Sequence, residues 1–390
     1  MDTTRITISN KSDKPDNIVK TEAEIFLACE EIEASFPPFL KGFFVYLKGN
    51  VLPRTRLAYL HDIKMFLTYL LEETSISQAK KIGDISQEEF KKIKASDINL
   101  FLDFCRRYAI ERDTGERVIY ENNNRSLARK KSSLSVLFKQ LYRDEIMDKN
   151  ITEAFDPIRV PRPGEKEIKA LMDDEVMVML DAVTTGEGLT EHEKLYWEKT
   201  KKRDKAILIL FLTYGLRLSE LCQLNLSSFQ LKRGEFKIYR KRGKESLMPL
   251  NKSVTECLTD YVEKERRRDP AERAGEDPLF LSLQGKRMTQ RQVRSLVKKY
   301  SSIALGTSRK NGYSPHKLRA TAATSLIGRG NSIYDVAALL DHEQVTTTQL
   351  YARQRENVKR DLVKDMEWEE ERKEGAPESR QDFQTEQAKK

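Results

Sequence analysis

From Ile158 to Leu171 the chain reads IRVPRPGEKEIKAL, and there the apolar spacing that marks helices on both sides stops. A run of prolines and charges with no single apolar face behaves as an extended connector. The chain must therefore build a separate core on each side, and 390 residues suffice for two domains of ordinary size. This places one domain over 36–157, a linker over 158–171 and a second domain over 172–366. A segment at 1–35, disordered up to about Asn17, precedes them. A charged, flexible tail at 367–390 (EWEEERKEGAPESRQDFQTEQAKK) is almost devoid of apolar residues and cannot bury a core.

The first region reads as amphipathic helices. One covers Ala23 to Phe36 and is stopped by Pro37 and Pro38. Between Thr55 and Leu71, Leu57, Leu60, Ile63, Phe66, Leu67 and Leu70 follow the i, i+3, i+4 spacing of a helix face. Another helix starts near Ser96, a suitable N-cap, and carries Ile98, Phe101, Leu102 and Cys105. A third runs from Ser126 with Leu127, Leu134, Leu137, Phe138 and Leu141 on one face. Its other side bears Arg125, Arg129, Lys130 and Lys131, which read equally as a solvated face or as a helix pressed against phosphates.

The second region opens with helices over Asp173 to Ala182 and Lys205 to Tyr214, separated by a polar stretch, Thr184 to Thr200, that reads as a loop or short extra helix. GEFKIYR and ESLMPL then form a hairpin joined by Lys241-Arg242-Gly243-Lys244. Helices continue to about Met366, and no solenoid repeat is present.

The balance of 70 Lys and Arg against 61 Asp and Glu gives a net charge of +9 and a pI near 9.1, which tilts the chain toward a polyanionic partner. The cysteines Cys29, Cys105, Cys222 and Cys257 are widely spaced with no CxxC pair; most sit in apolar patterns, as buried free thiols of a reducing cytoplasm do. The N-terminus lacks a signal-peptide core, and the longest apolar run, AILILFL from Ala206, is too short to span a bilayer. A soluble, intracellular protein is expected.

Candidate chemistry gathers in TYGLRLSELCQL, with Arg217 and Glu220; in the hairpin turn, with Lys241; and in SPHKLRATAATSLIGRG followed by VAALLDHEQVTTTQLYAR, with His316, Arg319, His342 and Tyr351. Each has an ordinary explanation when taken alone. Arg217 and Glu220 could be a surface i, i+3 ion pair; Lys241 could be solvated; the histidines and Tyr351 could be satisfied by neighbouring backbone. The set is what carries weight.

These segments together resemble the catalytic domain of the tyrosine recombinases, the phage integrase family, and are most similar to its Xer-type members. The family pattern is an arginine in T-G-L-R-x-S-E-L, a hairpin lysine, H-x-x-R, L-G-H, and a tyrosine nine positions further on. This chain has TYGLRLSEL, Lys241, His316-Lys317-Leu318-Arg319, Leu340-Asp341-His342 and Tyr351. Asp341 departs from the usual glycine, and Arg240-Lys241-Arg242 stands where G-K-G is common. Aligning MPL (Met248 to Leu250) with the family's V-P-L selects Lys241 as the hairpin lysine, with Lys244 as runner-up. Upstream, Thr55, Tyr59, Asp62 and Phe66 match T-x-x-x-Y-x-x-D-x-x-x-F of the family's core-binding domain, and ARKKSSLSVLFKQLY resembles its later DNA-facing helix. The likeness spans about 36 to 365.

The resemblance implies a mainly α fold with a small β-sheet: a helical, SAM-like core-binding domain followed by a mixed α/β catalytic domain. It implies a site-specific recombinase that cleaves and rejoins double-stranded DNA through a 3′-phosphotyrosyl bond and a Holliday junction. Tyr351 would be the nucleophile, Arg217 and Arg319 the clamp on the non-bridging oxygens, His342 a further donor, His316 the proton acceptor, Lys241 the donor to the leaving 5′ oxygen, and Glu220 a buttress. Arg54, Arg56, Arg125, Arg129, Lys130, Lys131, Arg240, Arg242 and Lys244 are the further candidate DNA contacts. Exchanging one phosphodiester for another needs no cofactor, ATP or metal, and the sequence has no GxxxxGK[ST] loop and no HExxH. The family's partners are two DNA sites and a tetramer of the chain, with an accessory DNA-bending protein as a further partner the resemblance admits. The location would be the cytoplasm, at the nucleoid. Beyond Tyr351, Val358, Leu362 and Met366 share a helical face that would dock on a neighbouring subunit or on its own domain. Other readings are a type IB topoisomerase, a catalytically silent DNA-binding regulator and a helical interaction protein unrelated to DNA.

Overall fold

The computed structural model describes residues 14–111, 114–161, 168–240, 243–266, 277–342 and 344–352. Lys241, Arg242 and everything beyond Ala352, including the Val358, Leu362 and Met366 stripe, lie outside the described residues.

The first half is built on helices α1 (Asp16–Ala34), α2 (Lys41–Asn50), α3 (Pro53–Glu72), α4 (Gln87–Lys91) and α5 (Ala95–Phe104), a hairpin of strands β1 (Arg107–Glu111) and β2 (Arg117–Glu121), and helix α6 (Asn124–Arg143). The apolar stripe of α3 is buried and meets Ile98, Phe101 and Leu102 of α5 and Leu127, Leu134, Leu137, Phe138 and Leu141 of α6 in one core. Stripes spaced for helices close on each other because burying them removes their apolar area from water.

The helix starts differ from the sequence reading. Helix α1 begins at Asp16 and not Ala23, because extended Pro15 precedes it and Asp16 supplies an anion to its first turn. Helix α5 is entered from Lys94, whose N–H donates to the Asp97 carboxylate at 2.7 Å, ahead of the expected Ser96 cap. Asn123 caps α6 by accepting from the Ser126 N–H at 3.0 Å. The β1–β2 hairpin was not anticipated. It pairs antiparallel with Tyr108 opposite Tyr120, and those rings stack at 5.4 Å.

The second half has a separate core. It comprises α7 (Asp173–Thr185), α8 (Glu191–Trp197), α9 (Lys201–Tyr214), α10 (Leu218–Gln223), strands β3 (Phe229–Gln230), β4 (Glu235–Tyr239) and β5 (Glu245–Pro249), then α11 (Lys252–Lys264), α12 (Gln290–Ala304), α13 (Pro315–Gly328), α14 (Ile333–Leu340) and α15 (Val345–Ala352). The apolar run from Ala206 is the middle of α9, apolar on most sides because α7, α11 and α13 all pack on it. Among the described residues no helix is long and apolar enough to cross a membrane. The strands form one antiparallel sheet, β3-β4-β5, with Tyr239 opposite Glu245 at the mouth of the turn.

The polar stretch at 184–200 holds α8, started by a Thr190–Glu193 capping box. Trp197 donates to the Val183 carbonyl at 2.9 Å, and Arg309 grips the Glu193 carboxylate at 2.8 and 3.0 Å. A small third cluster places Tyr351 of α15 against Ala320, Ala323 and Ile327 of α13 and Val336 and Leu340 of α14.

Candidate active site

The site forms where α9, α10, α13 and α14 meet. Helix α9 ends on Gly215, in the left-handed region at φ 56°. A β-carbon there would lie 2.5 Å from Leu340 Cδ2, so glycine alone allows the end of α14 to come this close. Two residues on, Arg217 occupies the N-cap of α10. Glu220, buried on the first turn, accepts from the Arg217 N–H at 2.8 Å and from Arg217 Nη1 at 2.8 Å. The pair is half interior, with Glu220 3% exposed, and not the surface bridge that is one of the two readings open from sequence.

Three successive carbonyls at the C-terminus of α14 each accept from a different arginine. Arg240 Nη2 reaches Leu339 O at 2.7 Å, Arg319 Nη2 reaches Leu340 O, and Arg217 Nη2 reaches Asp341 O at 2.9 Å. Arg319 also donates through Nη1 to Gly215 O at 2.7 Å. A helix C-terminus carries unpaired carbonyls and the negative end of the helix dipole, and cations gather there. The gathering costs the cations something. Burial and the neighbouring Arg217 guanidinium push the Arg319 pKa down to about 10, and burial lowers that of Arg240. Both remain charged near neutrality, and Glu220 and Asp341 offset part of the repulsion.

Arg240 was expected among the DNA contacts. It is instead buried, bonded to Ser246 Oγ at 3.2 Å as well as to Leu339 O, and ties the end of β4 to α14. Its interior place follows from the Leu339 carbonyl and the Ser246 hydroxyl that satisfy it. The hairpin turn beyond it closes with Arg240 N donating to Lys244 O at 2.7 Å and Gly243 at φ 75°. Lys241 and Arg242, next in the sequence after Arg240, lie outside the described residues. Lys244 is exposed, with Nζ 3.0 Å from Asp341 Oδ1.

Asp341, the departure from glycine, has φ 53° and ends α14 in the left-handed conformation that glycine favours. It is followed by His342, whose Nδ1 lies 2.8 Å from Thr348 Oγ1 and whose ring stacks on Tyr351 with centroids 6.1 Å apart. Burial, then Arg319 and Arg217, depress the His342 pKa to about 4, so the ring is neutral near pH 7. Either partner can donate in this bond, and in the tautomer where the Thr348 hydroxyl donates to Nδ1 the ring's N–H is at Nε2. Thr348 is fully buried and sits one helical turn before Tyr351. Sequence reasoning missed it, although the three-residue spacing to the tyrosine was available.

Tyr351 is buried, and burial raises its pKa above the ordinary tyrosine value while Arg319 opposes the rise. His316 lies one turn before Arg319 on α13 and keeps solvent access. Crowding by neighbouring atoms, then Arg319 and Lys317, hold its pKa below that of ordinary histidine. Arg217, Arg319, His342 and Tyr351 are therefore brought together, with His316 at the edge.

The candidate contacts in the first half divide by environment. Arg54 and Arg125 are exposed, and Arg129 is exposed while donating to Ala58 O at 3.3 Å and to Asp62. Lys131 donates to Asp156 O at 2.7 Å. Arg56 and Lys130 require correction. Arg56 is buried between Glu30 and Glu33, at 2.9 and 2.6 Å, and Lys130 is buried with Nζ 3.2 Å from Asp62 Oδ1. Both are interior ion-pair partners, since a buried charge needs a counterion within reach.

The sequence pattern of the phage integrase family matches residues 169–357. The tyrosine recombinase XerC of Caldanaerobacter subterraneus subsp. tengcongensis is 30% identical over 84% of this chain and 86% of its own length. The XerC of Thermodesulfovibrio yellowstonii is 32% identical over 60% of this chain and 73% of its own. Among solved structures, the chain is similar to the XerH site-specific recombinase in a post-cleavage complex with palindromic difH substrate, at TM-score 0.56 and 18% identity, covering 91% of this chain and 90% of that one. A lambda integrase dimer bound to a COC′ core site gives TM-score 0.51 at 15% identity, over 77% and 92%. At these identities the structural likeness bears on the fold.

Proposed function

Because the chain belongs to the phage integrase family and is a tyrosine recombinase of Xer type, we propose that Tyr351 is the nucleophile of its site-specific DNA strand exchange. One observation supports this above the rest. Residues from α10, α13 and α15 converge on the C-terminus of α14, where the Arg217 and Arg319 guanidiniums hold successive carbonyls and the neutral His342 ring stacks on the Tyr351 phenol.

In this reading Arg217 and Arg319 hold the non-bridging oxygens of the scissile phosphate, because a guanidinium offers forked donors and stays charged. His342 adds its Nε2–H. Charge developing on the five-coordinate phosphorus is met by donors already fixed in place. His316 takes the phenol proton as the Tyr351 oxygen bonds to phosphorus. The bond to the 5′ oxygen breaks, and Lys241 supplies that oxygen's proton. Glu220 positions Arg217. One phosphodiester replaces another, and the reverse steps join the partner strand. Proton transfers of this kind are worth about 10²–10⁴-fold each.

The core of the first half and that of the second would close around the duplex as two domains joined by 158–171, with Arg54, Arg125, Arg129, Lys131 and Lys244 on phosphates. A tetramer would hold two DNA sites through a Holliday junction, with the segment after Tyr351 docking between subunits and an accessory bending protein setting direction. The setting would be the cytoplasm, at the nucleoid. Relatives that match four-fifths of the chain favour recombination over the topoisomerase and silent-regulator readings.

Crosslink mapping on the chain's own genome identifies a site, and a suicide duplex nicked beside the cleavage position then tests the nucleophile. A covalent protein–DNA adduct that is absent in Tyr351→Phe is expected. An adduct that survives in Tyr351→Phe overturns the assignment.

A further inference from the structure

Among the described residues, two side chains at this site, Arg240 and Asp341, stand where the family pattern has glycine, and they differ in how firmly they are held. Arg240 is buried, with its donors on Leu339 O and Ser246 Oγ, and is a permanent tie between the hairpin and α14. Asp341 is held loosely. Its Oδ1 lies 3.0 Å from Lys244 Nζ and its Oδ2 3.5 Å from Arg217 Nη1, and the side chains are 21%, 67% and 32% exposed for Asp341, Lys244 and Arg217.

We propose that Asp341 is a releasable internal anion, holding Arg217 and the hairpin through Lys244 until a DNA phosphate displaces it. This inference rests on the reading of Arg217 as part of the phosphate clamp. The backbone does not demand a carboxylate here, since glycine or asparagine takes a φ of 53° at least as readily. What the carboxylate adds is two oxygens spanning a guanidinium and an ammonium, the arrangement a phosphate offers to the same pair. Glu220 cannot exchange in this way. It is buried, and both its oxygens are engaged by Arg217. An ion pair open to water is weak, so an incoming phosphate can take the place of Asp341 at little cost. Its departure frees Lys244, on the described arm of the hairpin, when the phosphate is already seated. The hairpin is thereby restrained until substrate arrives.

The test titrates inorganic phosphate into the full chain and follows the ring resonances of His316 and His342, two of only four histidines. Asp341→Asn keeps the side-chain size and the left-handed backbone, and a melting curve reports its folding. The half-saturating phosphate concentration should fall roughly two- to tenfold in Asp341→Asn, the range of partly exposed ion pairs and charge-assisted hydrogen bonds. Adduct formation at sub-saturating suicide duplex should quicken by a similar factor. An unchanged or higher phosphate midpoint, or no response in either protein, overturns the inference. A shifted midpoint with no adduct from the wild-type chain supports the releasable anion and overturns the Tyr351 assignment instead.

Discussion

Arg217 donates to the backbone carbonyl of Asp341 across 2.9 Å, although 124 positions of sequence separate them. The bond joins the start of α10 to the end of α14 and sets the direction in which the guanidinium faces. Its neighbours Arg319 and Arg240 are set by the two preceding carbonyls. The cationic centre is therefore a C-cap made of arginines, and the site's behaviour under mutation follows from that.

Arg319→Lys keeps the charge and loses the fork. One ammonium cannot hold Gly215 O and Leu340 O while also facing a phosphate. Adduct formation should drop by about 10²-fold or more, as when a preorganised donor is removed. Stability to urea should fall by about 1–3 kcal/mol from the unpaired carbonyls. A single-turnover rate close to wild type would separate Arg319 from the reacting phosphate.

Stability should depend on pH through His342. Its pKa is about 4 when folded against 6.5 ordinarily, so the unfolded chain takes up the proton first. The contribution is complete above pH 6.5, declines as the pH falls, and is gone near pH 4. Its size is at most about 3 kcal/mol. Urea midpoints measured from pH 7.5 to 4 should show a steeper loss in the wild type than in His342→Gln, and parallel curves would contradict the shift.

Asp62→Ala should destabilise the first half. Asp62 is buried and is the counterion of buried Lys130 and of Arg129. Removing it strands an ammonium in the interior, which costs about 3–5 kcal/mol. Calorimetry should show a lowered transition, and loss of DNA affinity without loss of stability would mean that Asp62 acts only at the surface.

Gly215→Ala places a β-carbon 2.5 Å from Leu340 Cδ2 at a positive φ. The strain of a left-handed non-glycine residue is about 1–3 kcal/mol, and α14 must shift, carrying with it the carbonyls that hold the arginines. Stability and adduct yield should fall together. An unaffected adduct yield would show that the arginine cluster tolerates movement of α14.

How much of this was legible in the sequence depended on the range of the determining contacts. The stripes of α3, α5 and α6 were plain because one repeating face meets one core. The β1–β2 hairpin escaped because its strands are exposed on nearly all positions, so no alternation of apolar and polar residues was imposed. The start of α8 was readable from Thr190 and Glu193 as a capping box. The residue types of the site were legible from their spacing, but the environments of Arg56, Lys130 and Arg240 were not. Their partners Glu30, Asp62 and Leu339 lie 26, 68 and 99 positions away, and a basic residue carries no mark of whether an acid or a carbonyl will meet it.

The arginines at the end of α14 are collected by peptide oxygens, which every amino acid supplies alike. Replacing side chains elsewhere on the surface leaves those oxygens where they are. Recognition of a DNA sequence, which is read by side chains at base edges, can therefore drift or be redesigned on other helices while the arginine cluster stays intact. Target choice and chemistry are separable inheritances in this molecule.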